Sequence, residues 1–494
     1  MQSLAKDTAI YGVSSILGRF INWCLMPYYT FVLSSSADYG IVVNLYAWTA
    51  LLLVILTYGM ETAFFRFANE DKTRADSVYS TSLVMVGITS LLFAILGVSF
   101  AQPIANVLSY SNHSDFIAML CAIVAIDAFS AIPFAYLRYK SRPVKFAAIK
   151  MLFVALNVVF NLFFFSVCPY LMKVNPALVD WFYRPEYGVG YVFVANLIAT
   201  GVQTLFLIPY IKVKFSFDTA VLKKMLRYAM PLLVLGIAGI MNQSIDKIIY
   251  PYLLPDRLEA ESQLGIYGAC FKLAMIMMMF TQAFRYAYEP FIFAQHKDLK
   301  SKAAYADAMK FFVIFSLLIF LGITFYIDIL KLLINVEYHS GLRAVPIVLC
   351  GYLFQGIFFN LSLWYKLTDK TRFGAIFSIV GFVIVLAINI LFVPIFGYMA
   401  SAWASVACYG IMMLLSYFFG QKYMPINYDL QRIGFYIGLT ILLFAIGYFI
   451  NTGFLFVDLA LKTLLILAFV WTIIKRDLPL KNIPFVNKFV KHKI

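Results

Sequence analysis

Apolar residues in this chain fall in long runs separated by short polar connections, and the pattern repeats from one end to the other. The runs lie near 9–33, 40–62, 78–101, 116–138, 147–168, 188–210, 226–252, 264–290, 307–328, 344–365, 373–394, 398–420, 433–451 and 454–474. About 20 apolar residues make the roughly 30 Å of helix that crosses a hydrocarbon core. In lipid a segment must satisfy its own backbone N–H and C=O groups, so each run is expected to be a helix. The pattern predicts an all-α polytopic membrane protein of about 14 transmembrane helices. Pro27, Pro133, Pro231 and Pro346 lie inside runs, where they are expected to mark kinks or helix starts. Met1–Asp7 is short and mixed in charge, and the first run carries Arg19, so that run is expected to remain as a span rather than a cleaved leader.

Composition agrees with this picture. Hydrophobic residues make up 63% of the 494 positions and charged residues 13%, where a soluble domain is nearer half and one quarter. The net charge of +15 is not spread evenly. With the N-terminus placed inside, 29 of the 39 Lys and Arg fall in connections on that side, 6 on the other, and Arg19, Lys247, Lys272 and Arg285 inside runs. This asymmetry predicts a multi-pass protein of a bacterial inner membrane with both ends cytoplasmic. It also excludes nucleic acid as the reason for the basicity. The basic tail Lys475–Ile494 is expected to lie against anionic lipid headgroups.

The sequence gives no sign of an enzyme. Six cysteines sit in or beside apolar runs without close pairing, and four histidines fall in loops or the tail. Neither a disulfide framework nor a metal site is expected, and no cofactor is called for. Nucleophile elbows, Gly-rich phosphate loops and paired catalytic carboxylates are missing from the sequence.

The chemistry lies in the few ionisable residues within runs, each costing about 2.5–3.5 kcal/mol at the membrane centre unless partnered or hydrated. Gly12, Ser15, Arg19 and Asn22 share one helix face. A cation on a polar stripe reads as the wall of a hydrated cavity; the alternative is an interhelical salt bridge. The seventh run carries Asn242, Gln243, Asp246 and Lys247, and the eighth carries Lys272. An Asp246–Lys272 ion pair is the structural reading; Lys247 or Lys272 facing an anionic substrate is the functional one. Gln282, Arg285 and Glu289 share a face, with Arg285 and Glu289 one turn apart. Glu61 and Asp127 complete the acidic set as ion-pair or coupling candidates. Asn157, Asn161, Asn360 and Asn389 read as interhelical hydrogen bonds. The central charges are mainly cationic, which favours phosphate or carboxylate and disfavours organic cations.

A faint internal repeat also emerges. Asp38-Tyr39-Gly40-Ile41 at the start of the second run is echoed by Gln263-Leu264-Gly265-Ile266 at the start of the eighth. Proteins with such halves place substrate between them.

Several of these stretches resemble oligosaccharide flippases of the O-antigen (Wzx) type, in the multidrug/oligosaccharidyl-lipid/polysaccharide exporter superfamily. They are Tyr11-Gly12 through Arg19 to Pro27 and Thr30, Tyr39-Gly40, Gly59 to Arg66, Leu137-Arg138 to Arg142-Pro143, Leu226 to Pro231, Ile245-Asp246-Lys247, Gly265-Ile266-Tyr267, and Phe284-Arg285 to Glu289-Pro290-Phe291. The resemblance implies two six-helix bundles around a central cavity, at 1–214 and 215–424, with helices 13–14 and the basic tail at 425–494. It further implies alternating access that moves a polyprenyl-diphosphate-linked oligosaccharide, an O-antigen, capsule or exopolysaccharide repeat unit, from the cytoplasmic to the periplasmic leaflet. Arg19 matches a position where relatives place a cavity cation. The expected partners are this lipid-linked substrate and membrane lipids, with proton or sodium coupling left open. A lipid II-type flippase and a drug or organic-cation antiporter are rivals within the superfamily. A membrane O-antigen polymerase or ligase for lipopolysaccharide is the rival from another class.

Overall fold

The structure is a computed structural model describing residues 12, 14, 16–211, 216–295 and 301–478, with backbone alone at 287, 289–295 and 301. Among the described residues every regular element is helical. After a helical stretch at 16–23 come α1 (Leu25–Val32), α2 (Ser36–Thr57), α3 (Met60–Glu70), α4 (Ala75–Ser99), α5 (Ala101–Val107), α6 (Ser114–Tyr139), α7 (Pro143–Leu162), α8 (Cys168–Val174), α9 (Gly190–Leu205) and α10 (Ile208–Ile211). They are followed by α11 (Thr219–Ile249), α12 (Arg257–Gln295), α13 (Ser301–Phe325), α14 (Ile327–Leu330), α15 (Val345–Leu361), α16 (Leu363–Leu367), α17 (Arg372–Phe396), α18 (Tyr398–Tyr423), α19 (Leu430–Phe449) and α20 (Leu455–Arg476).

Twelve described helical segments are long and apolar enough to cross a membrane. The other two expected spans differ from these. One is α9, whose 16 residues are apolar but short. The other begins in residues outside the described set and breaks at Cys24, with Pro27 in the first turn of α1. The second expected span is not one continuous helix either. It stops at Tyr58 and Gly59, both left-handed (φ 34° and 71°), before α3 begins. Glycine takes this conformation without strain, and a Cβ at Gly59 would lie 3.2 Å from the Ala229 carbonyl. Pro133 and Pro231 sit inside α6 and α11, while Pro346 falls in the first turn of α15, where its missing N–H costs no hydrogen bond.

Unlike a water-soluble protein, the chain has an apolar outside as well as an apolar core, and the core also takes in a minority of polar side chains. Large apolar side chains such as Ile88, Leu91, Ile95, Leu391, Ile395 and Phe456 are exposed. Asn44, Thr81, Ser82, Asn161, Thr200, Ser316, Asn389 and Ser416 are buried. Polar groups turned inward and paired across helices are what a hydrocarbon surround selects. Ser401, for instance, donates to Asn389 at 2.6 Å, and Trp364 donates to Ser416 at 3.1 Å.

By contacts the chain divides into two compact units, Met1–Ala269 with Phe373–Cys408, and Cys270–Arg372 with Tyr409–Ile494. This partition is not that of the lobes implied by the resemblance. In the first unit α6 packs against α2, α4 and α9, and α11 packs along α2. An aromatic core holds one end: Tyr79 stacks on Tyr136 at 4.1 Å, and Phe64 meets both Tyr79 and Tyr139 at 5.7 Å.

The same unit contains a seam of backbone-to-backbone approach between the first two turns of α2 and the second and third turns of α12. A Cβ on Gly40 would overlap the Glu261 carbonyl, and one on Gly265 would overlap the Ser36 carbonyl. Ser36 and Ser262 share a hydrogen bond of 2.7 Å across the seam. The two glycines are those of the echoed tetrapeptides, so the repeated positions face each other. Glycine is required here by space, not by torsion.

The second unit is organised around α13, which packs on α15, α19 and α20. Phe312 stacks on Phe280 at 5.8 Å, and a Cβ on Gly356 would overlap the Phe312 ring. At one end Asp477, whose side chain is 1% exposed, ties three helices: it accepts from Arg432 at 2.5 Å and Tyr436 at 2.6 Å, and Lys310 stands 3.6 Å away. Burial pushes its carboxyl pKa up, but the Tyr436 hydroxyl and the Arg432 and Lys310 charges more than offset this and leave it below the ordinary value.

Two outcomes follow. In a Ser36→Cys/Ser262→Cys variant, oxidation should link α2 to α12, and adding Gly265→Val should abolish the link by separating the backbones; an unchanged yield would mean the seam does not exist in the membrane. Because the folded carboxyl of Asp477 titrates low, its stabilisation is present above the unfolded value near pH ~3.9 and is lost as pH falls through the folded value. Thermal melts between neutral pH and pH 3 should therefore lose an acid-sensitive component in Asp477→Asn.

Candidate functional site

The first helical stretch presents Arg19 and Asn22, one turn apart, on an exposed face. It is held to α7 where Gly18 lies against Val154 and Met151, at 3.5 and 4.0 Å from a Cβ placed there. A polar ladder fixes its register. Asn157 donates to Asn22 at 3.2 Å, Asn161 donates to the Asn157 carbonyl at 2.7 Å, and Tyr29 donates to Asn161 at 2.8 Å. Three asparagines and a tyrosine thus set the rotation of the segment bearing Arg19. Ser15 lies outside the described residues.

On the same face of α7, seven residues before Asn157, stands Lys150, which falls inside the expected run 147–168 although it was counted with the cytoplasmic connection before it. It lies within a membrane-length helix, its Nζ 4.0 Å from the centroid of Phe134, and it interacts electrostatically with Asp127 of α6. The spacing 150, 157, 161 is a helical stripe, so the signal was present in the sequence; an uncertain helix start hid it. Asp127 also acts on Tyr46, which receives a hydrogen bond from Asn196 at 2.8 Å; Asn196 in turn accepts from Thr200 at 3.1 Å. Asp127 therefore belongs to a polar lane shared by α2, α6, α7 and α9.

Glu61, in the first turn of α3, forms an ion pair with Arg138 in the last turn of α6. Arg138 also lies over Phe65, 5.0 Å from its centroid. Both side chains are over one-third exposed, so the pair contributes little by itself. It joins the helix that follows the Tyr58–Gly59 break to the neighbouring span.

Asp246 is taken up by its sequence neighbour. Lys247 Nζ lies 3.0 Å from both carboxylate oxygens and 3.0 Å from the Gln243 carbonyl, and Tyr267 donates to the carboxylate at 3.1 Å. The two charged side chains are 7% and 11% exposed. Asn44 of α2 donates to the Lys247 and Ile248 carbonyls at 2.7 and 3.1 Å. Asn242 donates to the Ser378 carbonyl at 3.0 Å. The result is a neutralised charge pair inside the first unit, with Lys247 as the partner where the sequence had offered Lys272.

In the second unit Lys272 is half-buried on α12. Arg285 lies thirteen residues on, about 20 Å along the axis, with its guanidinium 4.7 Å from the Phe359 ring centroid. The Glu289 side chain lies outside the described residues. Among the described residues no cluster of His, Cys, Asp and Glu has the composition of a metal site.

A family model described as polysaccharide biosynthesis protein matches residues 4–294. The chain belongs to this family. Its fold is that of the lipid II flippase and multidrug transporter structures with which it superposes, in keeping with the resemblance drawn from its motifs. The lipid II flippase MurJ in an inward closed conformation superposes with a TM-score of 0.74 at 14% identity, covering 94% of this chain and 99% of that one. An inward-facing multidrug resistance MATE transporter gives 0.65 at 15% identity over 85% and 96%. An outward-facing MATE transporter gives 0.58 at 15% over 88% and 96%. Comparison with curated protein sequences returns no match.

The Asp246–Lys247 pair makes a direct prediction. Asp246→Asn should destabilise the family member by about 3–5 kcal/mol, because it strands a buried ammonium, and adding Lys247→Gln should recover much of the loss. Thermal melts of the single and double variants check this. Equal stability of Asp246→Asn and the native chain would show the pair to be broken in the membrane.

Proposed function

We propose that this protein translocates a polyprenyl-diphosphate-linked oligosaccharide, a repeat unit of O-antigen, capsule or exopolysaccharide, from the cytoplasmic to the periplasmic leaflet by alternating access. One observation supports the reading: a chain of the polysaccharide biosynthesis family carries Arg19 exposed on a helical stretch whose register an asparagine ladder holds. A diphosphate cannot shed its water into hydrocarbon. In this reading Arg19 replaces that water with charge-assisted hydrogen bonds while the isoprenoid tail stays in lipid, and Lys272 and Arg285 are further candidate cations. Asn22 shares the Arg19 face and offers polar contacts to the sugar. Lys247 enters this scheme only if its bond to Asp246 opens, so its role is to hold α11 in place. Asp127, facing Lys150, is the candidate for proton or sodium coupling. The reading puts the protein in the inner membrane with both ends cytoplasmic, which the distribution of basic residues supports.

An organic-cation antiporter needs acids where this chain has Arg19, and repulsion of a cationic drug by that guanidinium weighs against it.

The test is deletion followed by analysis of lipid-linked glycans. Repeat units on polyprenyl diphosphate should accumulate facing the cytoplasm, and complementation by Arg19→Ala should restore less than a tenth of surface glycan at normal protein levels. Unchanged surface glycan with no lipid-linked build-up would exclude the proposed transport.

A further inference from the structure

The ends of α19 and α20 that meet at Asp477 enclose a notch of about 340 Å³ lined by Gln431, Arg432, Phe435, Tyr436, Arg476 and Asp477. Its charges are arranged asymmetrically. The Asp477 carboxylate is turned inward, 1% exposed, and is consumed by Arg432, Tyr436 and Lys310. The Arg432 side chain is 51% exposed; besides Asp477 it meets Asp429 at 3.4 Å and the Arg476 carbonyl at 3.4 Å. The Arg476 guanidinium carbon lies over Phe435, 4.3 Å from the ring centroid, which sets the guanidinium beside the notch. The lining therefore holds two guanidinium groups against one acid whose charge is already spent.

The surroundings set the depth. Both helices carry exposed apolar side chains along their length: Ile441 and Leu442 on α19, Leu464 and Leu467 on α20. Hydrocarbon chains run along these faces. One turn before Arg476, exposed Trp471 lies under Lys475, whose Nζ is 4.8 Å from a ring centroid, and Trp with Lys at a helix end marks the level of lipid headgroups. The notch thus opens where acyl chains end and phosphates begin, and basic pockets between membrane helices at that level hold anionic headgroups.

We propose that this notch binds the phosphate headgroup of an anionic phospholipid, with Arg476 as the principal contact and Arg432 as the second. The headgroup competes with Asp429 for Arg432 and leaves the Asp477 brace intact. The site is independent of the transport reading and stands or falls separately from it.

The purified full chain should retain dioleoylphosphatidylglycerol in native mass spectrometry in preference to dioleoylphosphatidylcholine, and salt should weaken the preference. Arg476→Gln should cut phosphatidylglycerol retention about fivefold, the worth of one basic residue near an anionic surface. Lys422→Gln, which removes an exposed cation from α18 outside the notch, should leave it unchanged. Arg476→Lys, which keeps the charge, should restore retention even if the glutamine variant is less stable. Equal retention by Arg476→Gln and the native chain would overturn the proposal, as would an equal loss in Lys422→Gln. Displacement of the lipid by millimolar inorganic phosphate would assign the notch to free phosphate and overturn the lipid assignment.

Discussion

The structure depends on one constraint: a polar or charged group in hydrocarbon has no water to fall back on, so its partner must come from the protein. The Asp246–Lys247–Tyr267 group shows the result in its simplest form, a carboxylate and an ammonium adjacent in sequence, closed off by a phenol from the next helix. The asparagine ladder on α7 and the Asn196–Tyr46 bond obey the same rule without charge. Apolar side chains, released from any need to hide, cover the outside. Folding here buries a largely apolar core and pairs many of the polar groups that turn inward with it.

That rule also separates the cations by their surroundings. Lys247 has its acid and Lys150 feels Asp127. Arg19 sits on an exposed face of the first helical stretch, whose rotation Gly18 and Asn22 help to set. In the proposed transport it is the group that would meet a phosphate, which suits a guanidinium in sign and geometry.

Close approach is the second device. Where α2 meets the start of α12, two glycines let backbones touch, and a serine pair bonds across the join. Where the second span ends, Tyr58 and Gly59 reverse the helix sense for two residues and re-aim α3, so that Glu61 reaches Arg138. Small residues and left-handed turns thus place charge as effectively as charged residues do.

The sequence by itself determined the all-helical membrane character, the positions of most spans and the identity of the residues that must find partners, because hydropathy and the price of intramembrane charge are local properties. It also picked out the echoed Gly40 and Gly265. Only the tertiary structure decided who pairs with whom. Asp246 takes Lys247 where the sequence had offered Lys272, Glu61 takes Arg138, and Lys150 faces Asp127. Those choices depend on helix rotation, on breaks such as Tyr58–Gly59, and on which helices pack side by side, which hydropathy along the chain does not encode.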